Sequence, residues 1–377
     1  MVNATVSCIE WSCVDWERRL RLLPVSKMRL WIRPMDNEPR SIRFGLYDLV
    51  ETRPGVGLDQ LYRERFELIS AAEEAGLWGY HTTEHHLNPL DATPSPSLFL
   101  AAAAQHTSKI RLGSLVHVLP LYEPVRLAEE LLMLDALTGG RLEIGIGKGV
   151  SSPEQRLLGR DPDNRDRRME EIFDQVVAIL QGVPVDGAPI PFRPIQQPHP
   201  PFWYAGNADY AGRRNLNVVL GGSAERVIES AHHHKATAAA HRNDPARVNP
   251  DPVPTTGFTR HVLVDVDGER ARRRAAESWQ VYDHNITTHV RRLGEQRQSN
   301  PTLDGDGERA MELGLLAAGN PDDVAANLLA VASHSPVDYS MISCCWGSLD
   351  HREAMASFEL FVTEVIPRVN AGLGRTS

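Results

Sequence analysis

From Ile42 onward the hydrophobic period switches repeatedly between two residues and 3.6, an alternation that confines the chain to a parallel sheet covered by helices. Ile42 to Tyr47 is a short apolar run. A loop with Pro54, Gly55 and Gly57 follows it, then a helical stretch from Leu58 to Ala75 that Gly76 closes. Gly79 to Thr83 is the second strand and the Ala-rich Ser97 to His106 the second helix. Ile110 to Leu119 reads as one buried strand. Pro124 then opens a helix whose Leu127, Leu131 and Leu134 share a face before Gly139-Gly140 ends it. Arg141 to Gly147 is a fourth strand, and Arg165 to Leu180 a fourth helix.

Gly182 to Pro201 holds seven prolines, too many for a helix or a central strand, so it reads as an excursion or hairpin lying over the sheet. The pattern then resumes. Strands are expected at Phe202 to Ala205, Asn217 to Leu220, Phe258 to Val266 and Tyr339 to Cys345, and helices at Ala224 to Ala240, Asp322 to Ala332 and Glu353 to Val369. Eight strands is the number at which a parallel sheet closes, and the fold class expected is α/β, a (β/α)8 TIM barrel with loop insertions forming a single domain over residues 41–377. Asn243 to Thr256 and Gly294 to Glu308 read as surface insertions. Met1 to Arg40 carries Trp11, Trp16 and Trp31 without a sustained period. It is either a poorly ordered extension, a start codon placed too early with Met28 or Met35 as alternatives, or an arm that packs on a partner subunit.

Lys and Arg total 40 against 49 Asp and Glu, with no basic block. Binding to nucleic acid by phosphate neutralisation is excluded on that balance. Cys8, Cys13, Cys344 and Cys345 make no C-x-x-C pair, so neither a disulfide framework nor a zinc motif is expected. No apolar stretch reaches the roughly 18 residues a bilayer requires, and no signal peptide is recognisable. A cytoplasmic protein without a membrane partner is the expectation.

In a barrel of this kind reactive groups stand on loops after the carboxyl ends of strands. Those positions hold Glu84-His85-His86, Ser114 to Pro120, Gly145 to Gly149, Ala205-Gly206-Asn207 and Cys344-Cys345-Trp346. A histidine titrates near neutrality and moves protons either way, so the first cluster is either catalytic or a set of hydrogen-bonding partners under a loop. Gly145-x-Gly-x-Gly149 lacks the continuation of a dinucleotide fingerprint, because Val150, Ser151, Ser152 and Pro153 follow. Lys148 beside it either meets a phosphate or is a solvated lysine. His232-His233-His234 points three ways on a helix, cannot share a metal, and is assigned to the surface. Cys344 and Cys345 read as small core residues. Neither the carboxylate pair of a glycosidase nor the His/Asp cluster of a metal hydrolase stands on the strand ends, and no metal ligand set is assigned.

Thr83 to His86, Val118 to Glu130, Leu134 to Gly149, and Gln196 to Pro201 before Trp203-Tyr-Ala-Gly206 resemble, in order and spacing, the bacterial luciferase-like flavin monooxygenases. The resemblance runs over roughly Ile42 to Val369. It implies a barrel binding flavin at the carboxyl ends of its strands. It also implies reduced FMN supplied by a separate NAD(P)H:flavin reductase, and dioxygen activated through a 4a-peroxyflavin to oxygenate a small organic substrate. By position, His85 resembles the active-site histidine at the flavin edge, with Glu84 and His86 its neighbours. Leu115-Val116, after Ser114, matches the place of a non-prolyl cis peptide under the ring. Lys148 stands where the luciferases have an arginine near the phosphate, with Gly149 beside it, and Arg168 resembles a second phosphate-side arginine. Ala205, Gly206 and Asn207 match the phosphate loop, with Asn for the usual Ser. The resemblance further implies a homodimer, for which the helices from Ser97 and Val125 are the expected interface. A lid that excludes water is implied too, for which Gly182 to Pro201 and Gly294 to Glu308 are the candidates. Two alternatives stay open: a deazaflavin-dependent oxidoreductase passing hydride, and a non-catalytic flavin-binding partner subunit.

Overall fold

The computed structural model describes residues 40–292 and 303–374. The expectation for the N-terminal forty residues falls outside them, Arg40 apart. The strands are β1 (Arg43–Asp48), β2 (Gly79–Thr82), β3 (Arg111–Ser114), β4 (His117–Val118), β5 (Leu142–Gly147), β6 (Phe202–Ala205), β7 (Asn217–Leu220), β8 (Thr256–Val264), β9 (Leu316–Gly319) and β10 (Tyr339–Ser343). The helices are α1 (Leu58–Glu74), α2 (Pro96–Ala103), α3 (Pro124–Leu137), α4 (Ser152–Leu157), α5 (Arg165–Leu180), α6 (Ala208–Arg214), α7 (Ala224–Ala240), α8 (Gly268–Ile286), α9 (Thr288–Arg292), α10 (Gly307–Glu312), α11 (Pro321–Ala332), α12 (His351–Leu360) and α13 (Ile366–Leu373).

Every pairing between these strands is parallel, and β1-β2-β3-β5-β6-β7-β8-β10 closes on itself through β10 with β1, giving the (β/α)8 barrel. β8 is long enough to serve two neighbours. Its Gly257–His261 stretch pairs with β10, and its His261–Val264 end pairs with β9, outside the ring. The helices bury one stripe each against the sheet. On α5 that stripe is Met169, Ile172, Phe173, Val176, Val177, Ile179 and Leu180, and full burial of each such large side chain is worth about 1.5–3 kcal/mol.

Large and absent side chains alternate across the barrel interior. A Cβ on Gly45 would lie 1.8 Å from the Tyr339 hydroxyl and 2.5 Å from the Gly79 carbonyl oxygen, and one on Gly257 would lie 2.7 Å from Met341. Trp203 and Tyr339 fill the lower barrel, where the Trp203 indole N–H donates to Glu143 at 2.5 Å and Arg111 pairs with the same carboxylate. Arg43 lies 4.3 Å over the Trp78 ring and closes the amino end.

Four expectations need correction. Ile110 to Leu119 is not one strand: a cis Leu115-Val116 bond separates β3 from β4. The proline-rich segment Gly182 to Pro201 does not cover the barrel mouth. It leaves α5 and enters β6, so it runs beneath the amino ends of the strands, where Gln196 bonds to Asp135, Arg111 and the Leu142 carbonyl. Of the other lid candidate, Gly294 to Glu308, residues 294–302 lie outside the described residues. His234 is buried, not on the surface, between Thr256 and the Leu216 carbonyl, and burial lowers its pKa to about 4. Helices α4, α6 and α8 to α10 and strand β9 are elements that the periodicity did not show. Cys344 and Cys345 are free and buried, as expected. No helix among the described residues is long and apolar enough to cross a membrane.

The Gly45–Tyr339 fit is testable in stability. Gly45→Ala should cost about 1–3 kcal/mol, the usual penalty of overpacking, while Gly187→Ala, where a Cβ meets nothing within 4 Å but φ is +80°, serves as the backbone-strain control. A urea midpoint for Gly45→Ala at or above that of the control contradicts this packing.

Candidate active site

β2 ends by delivering Thr83, Glu84, His85 and His86 to the carboxyl rim. The loop behind them is pinned by Asp91, which accepts from the Thr83 hydroxyl at 2.5 Å and from the Thr93 N–H at 2.7 Å. Burial pushes the Asp91 carboxyl up to about 7, against the opposing pull of His85. Within the triplet the side chains diverge. Glu84 turns sideways: one oxygen lies 2.9 Å from His86 Nε2, and the other accepts the Val118 N–H and the Tyr122 hydroxyl, each at 2.9 Å. Glu84 and His86 thereby anchor the β4 loop, and both line a side cavity of about 320 Å³ with Tyr122 and Arg160. A wider groove of about 600 Å³ between α1 and α12 is far from this chemistry.

His85 takes a partner the sequence did not announce. Its Nδ1 lies 3.1 Å from Glu154 Oε1, on α4 in the loop after β5. An ionised carboxylate only accepts, so Nδ1 carries the hydrogen and Nε2 is the nitrogen left to act. Burial alone lowers the His85 pKa, but the Glu154 hydrogen bond and charge, with Asp91 and Glu84 behind, outweigh it and set the net shift upward. Glu154 shifts the other way. Burial raises it, while His85, the His86 N–H at 3.2 Å and Asn88 at 3.5 Å bring it below its ordinary value. His289 on α9 donates to the His86 carbonyl at 2.8 Å and stands 4.0 Å from Glu154. Three βα connections are therefore tied at one point. Ser151 accepts the Glu154 N–H and so starts the short helix α4 that carries this carboxylate.

On the β3–β5 side the cis Leu115-Val116 bond lies between Ser114, whose hydroxyl bonds to His117 Nδ1 at 2.7 Å and to both backbone groups of Gly145, and the glycine run of β5. A Cβ on Gly145 would stand 2.0 Å from the Ser114 carbonyl oxygen, and one on Gly147 2.8 Å from Val116. Those two glycines let the strands meet this closely. Lys148 pairs with Asp166 at 2.7 Å, and Gly149 has a φ of +75°. Arg168 is committed elsewhere, bonding the Pro120 and Tyr122 carbonyls and Glu123, which braces the loop into α3. Ala205, Gly206 and Asn207 are exposed at the end of β6. Gly206 has a φ of +90°, and Asn207 accepts the Tyr210 N–H, leaving its amide NH2 outward.

The structure thus brings His85, the Leu115-Val116 bond, Lys148 and Gly206-Asn207 to one rim, and sets Glu84, His86 and Arg168 behind it as supports. The sequence matches the luciferase-like monooxygenases over residues 42–337. Protein y4wF of Sinorhizobium fredii (strain NGR234) is 30% identical over 346 residues, 88% of this chain and 98% of that protein. The oxygenase component of the flavin-dependent trigonelline monooxygenase of Acinetobacter baylyi is 32% identical over 178 residues, 43% of this chain and 49% of that protein. The oxygenating constituent of 3,6-diketocamphane monooxygenase from the CAM plasmid of Pseudomonas putida, solved with FMN, superposes with a TM-score of 0.71 at 19% identity, covering 88% of this chain and 99% of that one. The coenzyme F420-dependent tetrahydromethanopterin reductase of Methanopyrus kandleri shares the fold at a TM-score of 0.59 and 18% identity, covering 88% and 100%. The chain belongs to the luciferase-like monooxygenase family.

The His85–Glu154 pair makes stability depend on pH in a defined window. A raised histidine contributes below its unfolded pKa and loses that contribution as pH rises through the folded value. A lowered carboxylate contributes above its unfolded pKa and loses it as pH falls. Both contributions are present between about pH 4.5 and 6.5. Glu154→Gln should cost most stability in that window and less at pH 8, and should lower the His85 pKa followed by its ring proton resonance. An unshifted resonance would show that the pair does not form in solution.

Proposed function

We propose that the protein is the oxygenase component of a two-component monooxygenase that takes reduced FMN from a separate reductase and uses dioxygen to oxygenate a small organic substrate. The observation that carries this reading is His85, clamped by Glu154 with its Nε2 free, on the same rim as the Leu115-Val116 bond and the exposed Gly206-Asn207 backbone. The cradle fits a flat ring with a phosphate tail. Gly145 and Gly147 keep side chains out of the strand crossing, while the exposed Asn207 amide, next to a Gly206 whose own N–H is taken by the Val219 carbonyl, offers a donor to an anion. Lys148 adds the charge. Its present partner Asp166 is 69% exposed, and an exposed ion pair is worth about 0–1 kcal/mol, so a phosphate competes for it readily. Bound there, reduced FMN supplies the electrons that activate dioxygen.

The chain's own residues supply the rest. Glu154 fixes the His85 tautomer, and Nε2 holds or returns a proton at the ring edge. Thr83, Thr93 and Asp91 fix the loop that carries it. The α4 and α9 segments, tied through Glu154 and His289, take the water-excluding part that the proline-rich segment is too low in the barrel to play. With a separate reductase, no nicotinamide-binding fingerprint is needed on this chain, and a homodimer through α2 and α3 fits the exposed Leu98, Val125 and Met133 on those helices.

Anaerobic fluorescence titration with reduced FMN and reduced deazaflavin tests the reading. Reduced FMN should bind the tighter, and Lys148→Ala should weaken it about tenfold, the lower end for one charge-assisted hydrogen bond because Lys148 is 40% exposed. His85→Ala should keep flavin affinity and slow oxygenation by about 10² to 10⁴. Tighter deazaflavin binding, with hydride transfer and no oxygen uptake, would make it a dehydrogenase of the same fold instead.

A further inference from the structure

Opposite the Lys148 side, the rim is built by β2, β1, β10 and β8. Gly257 faces the barrel interior, against Met341 and Trp203, so on a strand with period two His261 faces inward four residues on, at the carboxyl end. The register pairs His261 with Ser343. It also pairs Leu46 with Ile342, which sets the inward Tyr47 beside Ser343, and it pairs Tyr47 with His81. One row of inward polar residues therefore crosses four neighbouring strands. His261 Nε2 and the Ser343 hydroxyl are buried at the carboxyl end without a hydrogen-bond partner among the described residues; the His81 nitrogens are unpartnered too, but that ring lies 5.6 Å from Trp203 and 5.8 Å from Tyr339, in the filled lower barrel. An orphaned buried polar atom costs about 1–3 kcal/mol, and two side by side at a barrel mouth point to a ligand that completes them.

The walls around His261 are aromatic. Its ring lies 4.5 Å from Tyr282, 5.3 Å from Trp279 and 5.4 Å from Trp346, centroid to centroid. Trp279 and Tyr282 come from one face of α8 at a spacing of three, and Trp346 from the loop after β10. The neighbouring charges are turned away or already bonded. Arg260 alternates to the other face of β8 from His261, where one nitrogen donates to the Gly222 and Thr259 carbonyls and the other two are unpartnered; Asp48 pairs with Arg65 at 2.9 Å, and Glu51 accepts from Asn285 and Gly347 through one oxygen, its other oxygen unpartnered. An anionic ligand here would lose its hydration and find no cation on the inward face.

We propose that this β1–β10–β8 side of the mouth is the organic-substrate site, and that it takes an uncharged, ring-sized apolar molecule carrying one carbonyl or hydroxyl oxygen, hydrogen-bonded by His261 and Ser343. This rests on the monooxygenase reading and names its substrate class. Burial holds the His261 pKa down at about 3, so the imidazole stays neutral at working pH and offers a donor without charge. The rings supply apolar surface for the body of the molecule.

Isothermal calorimetry with acetophenone and with benzoate, on the full chain with and without oxidised FMN, decides the matter. The two probes share a ring and differ in charge. Acetophenone should bind at least tenfold more tightly than benzoate. His261→Phe should weaken acetophenone about tenfold, one hydrogen bond's worth, and His261→Gln should recover it to within about threefold. Ser343→Ala, a smaller change to the fold, should weaken acetophenone in the same direction, with thermal melts run on every variant. No acetophenone binding, equal binding of benzoate, or an unchanged affinity in a folded His261→Phe overturns the proposal. Failure of the monooxygenase reading shows separately, as absent reduced-FMN binding in the wild type with the acetophenone preference intact.

Discussion

Eight parallel strands that close on one another leave an interior too narrow for every inward position to carry a large side chain, and each layer has to mix bulk with absence. Here Tyr339 stands against Gly45 and Gly79, and Trp203 against Gly257, while Ser114 and Leu115 press against Gly145. The lower barrel is filled and sealed by this arrangement, with Glu143 satisfied by Arg111 and Trp203. Only the carboxyl end stays open to polar groups. Functional chemistry is confined to that end by packing before any catalytic residue is considered.

At the open end the determining contact is between residues 69 positions apart in sequence, His85 and Glu154. It fixes which imidazole nitrogen carries hydrogen, and through the His86 N–H and His289 it joins the connections after β2, β5 and β8. Phosphate-side groups lie to one side of this clamp, on β5 and β6. The unpartnered polar row and the aromatic walls lie to the other, on β1, β10 and β8. Such a division suits a flavin bound with its tail toward Lys148 and its reactive edge between His85 and a separate organic molecule.

The barrel was legible because its strands are short apolar runs between helices with a clear 3.6 period, and all eight ring strands fall where that alternation puts them. The break at Leu115-Val116 was invisible to periodicity, since the residues on both sides of a cis bond are as apolar as a strand's; only the family resemblance pointed to it. α8 was missed because its arginine-rich sequence, Gly268 to Ile286, buries just a thin stripe of Ala271, Ala275, Trp279 and Tyr282. Glu154 was missed because spacing cannot reveal a contact between two loops that the barrel closure brings together. The proline-rich segment was misplaced for a simpler reason. Composition says that such a segment is neither helix nor central strand, whereas chain direction says which end of the barrel it lies on, and a link from helix to strand lies at the amino end. The family resemblance points to the rim positions, and the fold sets His85 and Lys148 at the mouth and Glu84, His86 and Arg168 behind it.

A crystal structure of the protein soaked with FMN tests the central claim most directly. The account predicts the ring against the Leu115-Val116 bond with one edge in contact with His85 Nε2, and the phosphate on Lys148 and Asn207. A flavin whose phosphate sits at another loop, or whose ring lies out of reach of His85, would contradict it.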